Sequence, residues 1–294
     1  MRLTTTKIVI AVVILGFLVA FFSFRSIEKI PEKPVETIVV TSPVYKVIGN
    51  SVEGRKIESY TYGSGAKKLV FVGGVHGGYE WNSVFLAYKF KDYLDQNTKI
   101  IPKDLSITII PVLNPDGLFL VTGKEGRFGV EDVSEDPKVL ASGRFNANEV
   151  DLNRNFDCKW QPKSTWQSKT VSAGTKAFSE PEVSAFRDFV LENKPDAVVF
   201  WHSKSNAVYA SQCEEGILPG TTELMDTYSK ASLYPAVKTF DAYAVTGAAD
   251  DWLASLQIPA ITVELKTHDT IEWDKNLAGI KAVMGEFSKD GVVK

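Results

Sequence analysis

Only three histidines occur among the 294 residues of this chain: His76, His202 and His268. Two of them close strongly apolar stretches, His76 after KKLVFVGGV (67–75) and His202 after DAVVFW (196–201). Glu80 stands four residues past His76, so a turn running into a helix would let both side chains reach one ion. Two imidazoles and a carboxylate, with water in the fourth place, make an ordinary catalytic zinc set. A second set competes with it, because Glu264 and His268 are also four apart and need only one more histidine. That choice would leave the HGGYE segment (76–80) without a task. Gly73, Gly74, Gly77 and Gly78 allow a tight exit from a strand and close approach to a ligand, although a plain strand-to-helix turn would use them equally well.

Elements able to position these groups are legible along the chain. Short apolar runs rich in β-branched and aromatic residues predict strands over 67–75, 105–112, 196–201 and 258–265. Helical spacing of apolar residues predicts helices over 83–94, 180–192, 221–233 and 277–287, the second opened by acidic residues and a proline. The alternation predicts a single α/β domain with a mixed, largely parallel central sheet covered by helices on both faces. His76, Asn114, His202 and Glu264 follow or end four separate strands, and groups at strand ends of such a sheet converge on one crevice. The sequence NPDG (114–117) reads as a turn, and 119–148, which has little periodicity, as a long functional loop region.

With 23% charged residues, 44% apolar residues and a formal net charge of -3, the chain has enough material for one substantial core. That charge makes no case for nucleic acid as a partner. The run IVIAVVILGFLVAFFSF (8–24), preceded by Arg2 and Lys7, would reach about 25 Å as a helix, enough to cross a bilayer with the N-terminus in the cytoplasm. Residues 1–25 are therefore expected to form a membrane anchor or a cleaved signal segment, a buried core helix being the third option. The prolines and charges of 26–43 suit a spacer, and 44–294 a catalytic domain outside the cytoplasm, periplasmic or extracellular, and secreted if the leader is cut. In an oxidising compartment Cys158 and Cys213 can form a disulfide or remain two buried thiols.

Six segments together resemble one family. GGVHGGYEWN (73–82), VLNPDG (112–117), GRFNANEVDLNRNFD (143–157), FWHS (200–203), YAVTGAADDW (243–252) and ITVEL (261–265) are similar, in order, to the zinc metallocarboxypeptidases of the carboxypeptidase A and B type, bacterial relatives included. The resemblance implies that fold, one Zn2+ per chain, and His76, Glu80 and His202 as ligands. One departure stands out, since three residues separate His76 from its glutamate where the family has two.

The resemblance further implies that Asn153, Arg154 and Tyr243 bind the free C-terminal carboxylate of a peptide. Arg154 would supply a planar fork of donors matched to a carboxylate. Arg144, with Arg127 as the fallback, would stabilise the oxyanion, while Glu264 would work with zinc on the attacking water. Asp250, the residue before the Asp-Trp pair (251–252), would sit in the pocket for the terminal side chain and favour a basic residue there. Cell-wall stem peptides carrying lysine or diaminopimelate are a second class of substrate that such a site could take. The same fold could also serve as a catalytically inactive peptide-binding domain, or as an ester hydrolase or deacylase. The catalytic domain is expected to be monomeric.

Overall fold

The computed structural model describes residues 42–288 of the chain. The anchor or signal segment expected over 1–25, and nearly all of the spacer, lie outside the described residues. Among those described, no helix is long and apolar enough to cross a membrane.

An eight-stranded sheet runs in the order β1 (Val44–Asn50), β2 (Lys56–Gly63), β4 (Leu105–Ile110), β3 (Lys67–Val72), β7 (Ala197–Ser203), β10 (Ala260–Leu265), β8 (Ala207–Ala210), β9 (Ala236–Val237). Its centre, β4-β3-β7-β10, is parallel, and antiparallel pairs join β1 to β2, β2 to β4 and β8 to β10. A separate hairpin pairs β5 (Lys163–Trp166) with β6 (Lys169–Ser172).

Alternation along the central strands decides which side chain enters which core. Leu69 and Phe71 of β3 and Val199 and Trp201 of β7 enter one cluster. Helices α1 (Trp81–Gln96), α5 (Pro219–Ser232) and α7 (Trp273–Phe287) cover it with Leu86, Phe90, Tyr228 and Ile280. Val70, Val72, Val198 and Phe200 face the other way, beneath α4 (Pro181–Asn193) and α6 (Ala249–Ser255), which contribute Phe186, Val190 and Trp252. Both faces are thus covered by helix, as the alternation of elements predicts.

The segment expected to be loop departs from expectation. Pro115–Thr122 forms α2, capped by the Asn114 side chain accepting from the Gly117 N–H at 2.9 Å, and Pro137–Ser142 forms α3. Proline at the first helical position has no N–H to lose, so NPDG opens a helix here rather than making an isolated turn. Cys158 and Cys213 are joined, with their Cα atoms 6.0 Å apart. The bond ties the chain beyond the 143–157 segment to the stretch after β8.

Candidate active site

Three strand ends meet at one cavity. His76 follows β3, His202 is the penultimate residue of β7, and Glu264 of β10 lies opposite His202 in the parallel register. Because β3, β7 and β10 are consecutive in the sheet, their carboxyl ends bring these groups side by side.

The extra residue between His76 and Glu80 is absorbed by a 3-10 turn over Gly77–Glu80 that leads into α1. Gly77 adopts φ +47, and a Cβ there would stand 2.7 Å from the Gly143 carbonyl and 2.9 Å from the backbone of Gly117. Only glycine lets the turn lie this close to α2 and to the segment carrying Arg144. The result is that His76 Nδ1 lies 2.8 Å from Glu80 Oε1, while His202 Nδ1 lies 2.9 Å from Glu80 Oε2 and 3.1 Å from His76 Nδ1.

All three residues are buried, and their donor atoms fall within 4.8 Å of one another. Ligands about 2.0–2.1 Å from a tetrahedral zinc stand about 3.3 Å apart, so two imidazole nitrogens and one carboxylate in this arrangement could hold such an ion. Burial alone would push the Glu80 carboxyl up, but the two imidazoles outweigh it and hold the group well below the usual range. His268, in contrast, turns Nδ1 to Ser203 Oγ at 2.7 Å and does not join Glu264 in a ligand set.

Asp151 is the residue whose importance the sequence reading missed. Fully buried, it accepts from Arg144 Nε at 2.9 Å and Nη2 at 2.8 Å through Oδ2, and its Oδ1 lies 3.4 Å from His76 Nε2. A carboxylate in that position favours a proton on Nε2 and leaves the Nδ1 lone pair for a ligand. Although burial opposes ionisation, Arg144, Arg154 and His76 hold Asp151 well below the usual carboxylate range. A lone aspartate in a polar stretch gives no periodic signal; only its place before Asn153-Arg154 hints at it.

Arg144 projects into the cavity with its guanidinium 4.7 Å from the Trp166 ring centre, and Nη1 makes no closer ionic contact than 3.8 Å to Glu80. Arg127 pairs with Asp92 over Tyr88 and does not line this cavity. Glu264 is partly buried, its enclosed Oε2 has no hydrogen-bond partner among the described residues, and burial followed by the nearby Glu80 charge pushes it up to about 7.

Arg154 is 2% exposed. Nε and Nη2 donate to the Thr165 carbonyl at 3.2 and 3.0 Å, and Nη1 donates to the Asn153 carbonyl at 2.7 Å. Five N–H groups minus these three leaves one on each terminal nitrogen, and among the described residues Arg154 makes no ion pair. Burial accordingly lowers its pKa. Asn153 Oδ1 accepts from the Ala249 N–H at 2.9 Å, and the Tyr243 ring leans on Phe240 at 4.8 Å. Asp250 accepts from Thr262 Oγ1 at 3.0 Å, while Asp251 accepts from the Gln212 N–H at 2.9 Å and is pushed up to about 8 by burial and the Asp250 charge. Asn153, Arg154, Tyr243, Asp250, Arg144, Glu264 and the His76, Glu80, His202 trio all line one cavity of about 390 Å³.

The fold agrees with comparison to known proteins. The family model described as zinc carboxypeptidase matches residues 42–278, and the chain belongs to that family. A gamma-D-glutamyl-L-diamino acid endopeptidase from Lysinibacillus sphaericus is 24% identical over 238 residues, covering 74% of this chain and 59% of that protein. A zinc carboxypeptidase from Simulium vittatum is 28% identical over 268 residues, 83% of this chain and 86% of that one. In fold, bovine thrombin-activatable fibrinolysis inhibitor, solved in complex with tick carboxypeptidase inhibitor, superposes with a TM-score of 0.67 at 22% identity, over 85% of this chain and 91% of that one.

Proposed function

We propose that the protein is a zinc-dependent carboxypeptidase that removes a basic C-terminal residue from peptides. The observation that carries this is Arg154, a buried cation that makes no direct ion pair among the described residues and keeps two unspent N–H groups, facing the same cavity as the His76, Glu80 and His202 trio. A buried cation without a direct ion pair is costly, and the terminal carboxylate of a substrate compensates it with two-point geometry. Asn153 and Tyr243 line the same end of the cavity and complete the clasp.

His76, Glu80 and His202 would hold the metal, which would supply Lewis acidity toward a substrate oxygen and a water. Glu264 would take a proton from the attacking water as the C–O bond forms, and pass it to the departing amine as the C–N bond breaks. Arg144, with Nε and Nη2 anchored on Asp151, directs Nη1 at the oxygen on which negative charge develops.

Asp250 sets the preference. A lysine or arginine side chain in the cavity gives this carboxylate a cation in a water-poor setting. On a panel of N-acylated peptides differing only in the last residue, Arg and Lys should be cut at least about tenfold faster than Phe or Glu, and D250N should remove that margin. Equal or better kcat/KM on Phe would refute the assignment of Asp250.

A second reading draws on the relative named for a diamino acid, since a diamino acid side chain also offers a cation to Asp250. Adding a γ-D-glutamyl-diaminopimelate peptide to the panel separates the two substrates. A membrane-anchored, extracytoplasmic setting and a monomeric catalytic domain are part of the same proposal.

A further inference from the structure

The short hairpin β5–β6 reaches three parts of the site. Its register pairs Trp166 with Lys169, which leaves Gln167 and Ser168 as a two-residue turn in which Gln167 takes φ +54. The Thr165 carbonyl accepts from Arg154, and the Ser172 carbonyl accepts from the Asp151 N–H at 3.0 Å. Ser164 Oγ accepts from Thr246 Oγ1 at 3.1 Å, in the segment between Tyr243 and Asp250. To Arg144 the hairpin presents Trp166, whose ring centre lies 4.7 Å from Arg144 Cζ.

Arg144 needs more than Asp151 to fix it. Nε and Nη2 converge on a single oxygen, Asp151 Oδ2, at 2.9 and 2.8 Å. Two donors that meet one acceptor fix a point and leave the guanidinium plane free to tilt about it. The direction of tilt matters, because Nη1 lies 3.8 Å from Glu80 Oε1. Charge-assisted N–H···O contacts settle at about 2.7–2.9 Å, so a swing of about one ångström would pair Nη1 with Glu80 and withdraw it from the substrate.

The Trp166 ring opposes that swing. A guanidinium is drawn to the face of an indole, most strongly where water is excluded. Both partners here are buried, Arg144 at 3% and Trp166 at 6% exposure. The ring is itself wedged, because Tyr79 of the Gly77–Glu80 turn and Phe145 meet it edge-on with centroids 5.1 and 5.9 Å away. Lys169 stands over the same ring at 5.3 Å, but it is exposed and competes weakly.

We propose that Trp166 is a positioning residue for the reaction, its face setting the plane of the Arg144 guanidinium so that Nη1 points at the oxygen that gains negative charge. Trp166 acts through Arg144 and not by touching the substrate. The proposal rests on the carboxypeptidase reading for the role of Arg144 at that oxygen.

The test is steady-state kinetics on an N-acylated peptide ending in arginine, for the parent, W166L and W166F, and for both substitutions in an R144A background. W166L, which keeps an apolar side chain without a ring face, should lower kcat about tenfold and move KM less than about twofold. W166F keeps a weaker face and should lose about threefold. In R144A neither substitution should cost more than about 1.5-fold, since the group being positioned is gone. Equal losses in the parent and R144A backgrounds mark packing damage and overturn the proposal, as do no loss in either variant and a loss confined to KM, which marks a direct substrate contact. If W166L does not fold, W166F decides by the same comparison. A γ-D-glutamyl-diaminopimelate peptide with a blocked C-terminus is run alongside. Cleavage of that peptide and not of the free one ends the carboxypeptidase reading, and Trp166 is then judged on it by the same comparison. Equal losses on a free peptide that is cleaved end the proposal alone, and cleavage of neither peptide overturns both.

Discussion

Glu264→Gln should lower kcat about 10⁴-fold while leaving one zinc bound per chain. The substitution keeps the shape of the side chain and removes only its ability to accept and return a proton. The Glu264 Oε2 atom is buried and has no partner among the described residues, so loss of the charge breaks no internal hydrogen bond at that atom. Burial and the Glu80 charge hold it at about 7, near the working range of a general base. The active form is the carboxylate, which is present above that value and disappears as pH falls through it. A cation seated among His76, Glu80 and His202 draws the value lower. The unsubstituted enzyme should accordingly show an acid limb in kcat/KM at or below about pH 7, and E264Q should show none. Retention of more than about a tenth of kcat by E264Q would remove Glu264 from the proton path.

Arg154→Ala should cost about 10³-fold in kcat/KM on a peptide with a free C-terminus, and Arg154→Lys an intermediate amount. Lysine restores the charge without the fork. A C-terminally amidated peptide lacks the group Arg154 would bind, so it should be a poor substrate for the parent enzyme and equally poor for both variants. If R154A cut free and amidated peptides with the same ratio as the parent, the buried cation would have some other purpose.

What could be read from the sequence divides along physical lines. The central strands were legible because Leu69, Phe71, Val199 and Trp201 are buried on one face while Val70, Val72, Val198 and Phe200 are buried on the other, which gives continuous apolar runs. His76, His202 and Glu264 were legible for the same reason, as polar residues at the ends of those runs. The first strand, Val44–Asn50, was not predicted, because it is an edge whose residues are mostly exposed. Nor was the Lys163–Ser172 hairpin, in which polar residues outnumber apolar ones, although it holds Trp166 and the Thr165 carbonyl against the two arginines.

The one-residue excess in HGGYE shows another limit. Spacing alone left the turn geometry open, and the outcome depended on room for a 3-10 turn against Gly117 and Gly143, residues about 40 and 66 positions away from Gly77. Asp151 was beyond pattern reading in a stricter sense. Its significance lies in which buried charges are matched and which are not, and that inventory exists only in three dimensions.

The measurement closest to the heart of the account is anomalous diffraction at the zinc absorption edge from crystals of the catalytic domain grown with zinc. One peak per chain is expected, about 2.0–2.2 Å from His76 Nδ1, His202 Nδ1 and a Glu80 carboxylate oxygen, and beside Glu264. A peak coordinated instead by Glu264 and His268, or no peak among His76, Glu80 and His202, would contradict it.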